Sequence, residues 1–156
     1  MVAAAHGHSG IYDLLVAAHL IAALAGFGAV ALSGIYGGLA ARSGEPGSAE
    51  ESARYFRAPG RAEWLILAVP FLGAAALGAR PSGADFGDVW VIGGLLIWAA
   101  AACLLLGVVR PAERDLRRTA AAGRPATDPA RRLKWGAIAC DVLFAAALVL
   151  MIAQPA

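Results

Sequence analysis

The chain has 156 residues, a formal net charge of +2, 60% hydrophobic and 15% charged residues, and a mean hydropathy of +0.66. A soluble domain carries about a quarter charged and about half apolar residues, so this composition excludes an ordinary water-soluble domain. The length suits one domain, and no docking element accompanies the basic residues, which excludes a nucleic-acid reader.

Residues 1–13, "MVAAAHGHSGIYD", contain no Lys or Arg. They lack the basic start of a signal peptide, and the apolar run that follows is too long for one. His6 and His8 form "HGH" on what reads as a disordered tail; two imidazoles two residues apart are candidate ligands for copper or zinc. The first apolar run covers 11–41. Along it His19, Ala22, Gly26, Ala29, Ser33 and Gly37 recur at helical spacing, and Gly34 and Gly38 form a GxxxG pair. In lipid, small residues let helix backbones approach, so Gly26, Ser33, Gly34, Gly37 and Gly38 are predicted packing positions, and His19 on the same face points inward.

"RSGEPGSAEESARYFRAPG" interrupts the pattern. Ser48 and Glu51 fit a capping box, predicting a short amphipathic helix from Ala49 to Arg57 that rests Tyr55 and Phe56 on the membrane surface. The second run, 63–79, carries Pro70, which is expected to kink it, and Gly73. A short turn, "RPSGADFGD", leads to the third run, 89–109. Trp98 lies mid-helix, off any aromatic belt, and is expected to pack between helices or against a ligand; Trp64, Trp90 and Trp135 suit the boundaries. Beyond it Pro111 reads as the first residue of a new helical turn, and Glu113 and Arg117 as a surface i, i+4 pair. Gly123 is a stop signal. Asp128 followed by Pro129 opens the fourth helix, 129–153.

A spanning helix needs roughly 20 largely apolar residues. The expected fold is therefore all-α: one domain, a bundle of four transmembrane helices with short cytoplasmic helical extensions. Of the 13 Lys and Arg residues, only Arg80 lies outside the two connections after the first and third runs. The positive-inside rule puts those connections in the cytoplasm and both termini outside.

Ionisable groups inside a membrane are costly and candidates for function. Two lie well within the spans, His19 and Asp141. Three readings of His19 stand: a structural imidazole bonded to a carbonyl or hydroxyl, an axial ligand to haem iron in a helical bundle, or a metal or proton relay. Bis-histidine ligation needs a second imidazole and no other span carries one, so a haem there would need a different second ligand, an open position or a second subunit. Asp141 reads as a hydrogen-bonded buried acid or as part of a proton or cation path. Cys103 and Cys140, on antiparallel helices, are expected to be buried neighbours, as apolar filler or a redox pair.

"AAHLIAALAGFGAV", "VVRPAERDLRR" and "ALVLMIAQPA" together resemble an uncharacterised family of small bacterial integral membrane proteins, grouped with the copper-resistance D proteins and the J-type protoporphyrinogen oxidases. The resemblance covers most of the chain. It implies a four-helix membrane domain in the bacterial plasma (inner) membrane, with the histidine of the first helix associated with haem or porphyrin chemistry; His19 matches it. The chain departs from the oxidase relatives in having Phe27 where they carry tryptophan, and in ending "AQPA" without a basic residue. No catalytic constellation is visible. Two readings follow: a protein handling haem, or less readily copper, through His19 with Trp98 beside the ligand, or a non-catalytic subunit packed in the bilayer against other membrane proteins or its own copies.

Overall fold

The computed structural model describes residues 2–42, 54–56, 62–80, 86–122 and 127–153, with side chains for all of these except 2–9 and 120. The described residues are helical or in short turns. Helix α1 is Val2–Ala41, a one-turn 3₁₀ helix Ala62–Trp64 leads into α2, Leu65–Gly78, and α3 is Val89–Leu104. A π-helical turn, Leu105–Val109, joins α3 to α4, Arg110–Ala121, and α5 is Thr127–Ala153. The tail expected to be disordered is helical backbone from Val2. Of the helix expected from Ala49 to Arg57, residues 54–56 are helical and the rest lies outside the described residues, as do Ser48, Glu51 and Gly123.

Three helices are long and apolar enough to cross a membrane: Gly10–Ala41, Val89–Thr119 and Thr127–Ala153. Ala62–Gly78 is apolar but shorter, about 26 Å at 1.5 Å per residue.

Helix α1 is the hub. It packs along both α5 and α2, α3 packs on α5, and α2 and α3 barely touch each other. Bare backbone makes these approaches close. A Cβ at Gly26 would meet the backbone nitrogen of Ile66 at 2.8 Å, and one at Gly37 would meet the Leu133 side chain at 3.0 Å. Gly34 faces the Ala137 methyl. Ser33 is fully buried on the same face, while Gly38 lies at its edge with the Lys134 stem 3.8 Å away. The Phe27 and Phe144 rings stack at 4.6 Å across the α1–α5 seam.

The π-turn has a local cause. Pro111 has no N–H to give Gly107, and in a regular α-helix its ring would press on that carbonyl. The chain widens instead, and the Arg110 N–H bonds the Leu105 carbonyl, five residues back. Pro111 thus opens no separate helix, because the widened turn carries α3 straight into α4. The added residue rotates α4 so that Ala112, Glu113 and Leu116 continue the buried face of Ala101, Leu105 and Val109.

Glycine substitutions test the close approaches. Gly26→Ala is expected to cost about 1–3 kcal/mol by overpacking. Gly28→Ala, whose new methyl meets nothing within 4 Å, is expected to be neutral or slightly stabilising. Denaturation of the micelle-solubilised protein by SDS titration measures both.

Candidate functional site

The gap between α2 and α3 is a groove, and its chemistry begins with Pro70. Proline inside α2 cannot donate to the carbonyl of Ile66, four residues back. The Trp98 indole N–H takes that place, donating to Ile66 O at 2.8 Å. The mid-helix tryptophan therefore spans from α3 to α2 and satisfies a carbonyl that lipid could not.

One turn further along α2, the His19 ring donates from Nδ1 to Val69 O at 2.9 Å, since a carbonyl oxygen only accepts. Gly73 makes room for the ring: a Cβ there would lie 3.1 Å from His19 Cε1. In a neutral imidazole this bond fixes the proton on Nδ1 and leaves Nε2 with its lone pair. A buried carbonyl holding Nδ1–H is the arrangement that orients metal-ligating histidines.

His19 lines a cavity of about 380 Å³ together with Tyr12, Trp90, Gly94, Trp98 and Met151. A second lobe of about 140 Å³ shares His19, Gly94, Trp98 and Met151 and is bounded by Phe27 and Phe144. The walls are almost wholly aromatic and aliphatic. Met151 is a site residue that sequence reasoning missed; nothing in the apolar pattern of α5 marks it, and only the fold brings it to His19.

A second cluster lies at the opposite, basic end of the bundle. Glu63 and Glu113 are 1% and 2% exposed. Arg110 reaches both, with Nη1 at 2.8 Å from Glu63 Oε2 and 3.4 Å from Glu113 Oε2. Its guanidinium lies over the Trp64 ring, 4.5 Å from the centroid. Ser33 Oγ donates to Glu63 Oε1 at 3.3 Å and lies 3.1 Å from the Tyr55 hydroxyl. Tyr55 stacks on Tyr36 at 4.1 Å. Burial, with the Glu63 and Glu113 charges, holds the Tyr55 phenol above its usual range against the opposing bond to Ser33. The expected surface pair of Glu113 with Arg117 is replaced by Glu113 with Arg110, because the π-turn rolls Glu113 inward.

The remaining site residues stay apart from these clusters. Cys140 is fully buried, but Cys103 is exposed. Cys103 was expected inside; on α3 it follows the buried pair Ala101 and Ala102 and is carried to the outer face by the helical turn. Asp141 is half-buried and has no hydrogen-bond or ion-pair partner among the described residues, so the expected bond to a neighbouring helix does not form. The side chains of His6 and His8 lie outside the described residues. Among the described residues, no three His, Cys, Asp or Glu side chains gather into a metal site.

Long apolar helices, a buried ionic cluster at one end and an apolar groove at the other define a helical integral membrane protein. Residues 13–155 match the family described as predicted integral membrane protein (DUF2269), and the chain belongs to that family. The match gives a membrane family and carries neither the copper-resistance nor the oxidase grouping. No curated protein and no solved structure matches the chain.

Two substitutions probe the polar contacts. Trp98→Phe leaves Ile66 O unsatisfied and is expected to cost about 1–3 kcal/mol. In a Pro70→Ala background, where the restored N–H serves that carbonyl, the same change costs less; a double-mutant cycle in SDS reads the difference. Arg110→Ala strands two buried carboxylates and is expected to cost about 3–5 kcal/mol, seen as a lowered thermal midpoint in detergent.

Proposed function

We propose that this protein crosses the bacterial plasma membrane four times and binds a flat, lipid-soluble ligand in the His19 groove, and that the ligand is haem. The observation that carries the reading is the imidazole itself: Nδ1–H is held by the Val69 carbonyl, and Nε2 keeps a lone pair for iron. The lining supports it. Trp90 and Trp98 offer ring faces, Gly94 leaves space where a Cβ would meet nothing within 4 Å, and Met151 offers a thioether. A histidine nitrogen, alone or with a thioether, is a donor set that iron in haem accepts. Among the described residues no Lys or Arg lines the groove, so it would take the apolar body of such a ligand and leave any carboxylates outside. The resemblance of the first helix to porphyrin-handling relatives falls on the same residue.

When bound, haem supplies one-electron redox chemistry. The chain's own part is to hold the imidazole by one hydrogen bond, to exclude water with an apolar wall, and to keep the groove open between α2 and α3. The short Ala62–Gly78 segment spans by thinning the bilayer locally or by drawing on its flanks, at a cost of fractions of a kcal/mol per Å of mismatch. The basic end then faces the cytoplasm.

Absorption spectra of the detergent-purified protein, expressed with haem supplied, test this. A Soret band is expected in the wild type and in Leu96→Ala, exposed on α3 and outside the groove lining, and is lost in His19→Ala while far-ultraviolet circular dichroism stays unchanged. Absence of any band would overturn the haem reading and put the non-catalytic membrane-subunit reading ahead, with metal binding by His19 the next measurement.

A further inference from the structure

Asp141 sits about 9 Å along α5 from Trp135 at 1.5 Å per residue, inside the apolar Thr127–Ala153 helix. An ionisable group at such a depth almost always faces the bundle interior or a partner. Here the side chain is half-buried and meets no donor among the described residues.

Its neighbours on the helix surface form a regular line. Ile138, Asp141, Ala145, Leu148 and Ile152 follow one another at steps of three, four, three and four, the spacing of a two-helix seam. Ile138, Ala145 and Ile152 are exposed, Ile152 to 83%, while Asp141 is half-buried and Leu148, also half-buried, lines the smaller lobe beside His19 as well. Such a line is apolar except at one position, and a single polar residue in an apolar seam sets the register between two helices.

We propose that this face of α5 is the contact between two copies of the chain, with Asp141 of each copy hydrogen-bonded to Asp141 of the other. A second copy is the occupant that chemistry favours. A two-fold axis along the membrane normal brings each residue beside it to its own equivalent at the same depth. A carboxyl that carries its proton is both donor and acceptor, so two of them satisfy each other without leaving charge in hydrocarbon. The small side chain of Ala145, one turn on, lets the helices close above the pair. His19, the other ionisable group within the spans, is turned away to Val69.

Energy transfer between donor- and acceptor-labelled full-length protein in lipid vesicles, followed as lipid dilutes the protein, tests this. The wild type is expected to associate. Asp141→Asn, whose amide keeps a donor and an acceptor, is expected to stay within about threefold, and Asp141→Ala to weaken association by about tenfold or more. In a Cys103→Ser background, Ala145→Cys is expected to form disulfide-linked dimers under mild oxidant, and Leu96→Cys, exposed on α3, is not. Circular dichroism shows that each variant remains helical. A wild type that stays monomeric at every dilution, or an Asp141→Ala variant that associates unchanged, would overturn the proposal. So would loss in Asp141→Asn equal to that in Asp141→Ala, because the charge rather than the hydrogen bond would then be at work, and a cationic membrane partner would be the occupant.

Discussion

Close approach to α1 is the constraint on which the bundle rests. Lipid offers no hydrophobic drive between helices, so packing and polar contacts must hold them together. Gly26 lets α2 come to within a methyl's width, and Gly34 and Gly37 do the same for α5. Both clusters inherit their geometry from these approaches. His19 reaches Val69 because α2 lies tight on α1, and Ser33 reaches Glu63 for the same reason.

Two prolines shape the rest by what they withhold. Each removes a backbone donor where water cannot replace it. At Pro70 the orphaned carbonyl recruits a side chain from another helix, which props α3 against α2 across the groove. At Pro111 the helix answers by itself, widening one turn and changing the rotation of all that follows. The first response builds the wall of an apolar site. The second places Arg110 and Glu113 beside Glu63, where a guanidinium between two carboxylates ties α4 to the turn ahead of α2.

Much of the architecture was legible along the chain. The apolar runs fell on helices, although α1 begins at Val2, well ahead of the run that starts at 11, and the small-residue spacing of α1 marked its packed face. His19 was legible as inward-facing because lipid makes any other direction costly. The partners were not. Nothing local says that the donor for a proline-orphaned carbonyl will be Trp98, or that Met151 will stand near His19. Glu113 was misread for a specific reason: a regular helical count put it on the surface beside Arg117, and one added residue in the π-turn moved it to the interior. Asp141 was read as bonded within the bundle, since burial was assumed from depth alone.

The pairing of α1 with α5 also orders assembly in time. A nascent chain folds from its N-terminal part first, yet the glycine face of α1 is completed by the last helix to be made. Until α5 arrives, Gly34 and Gly37 face lipid, and Phe27 lacks the ring it stacks on. The contact most distant in sequence, α1 with α5, is therefore the one that completes the bundle.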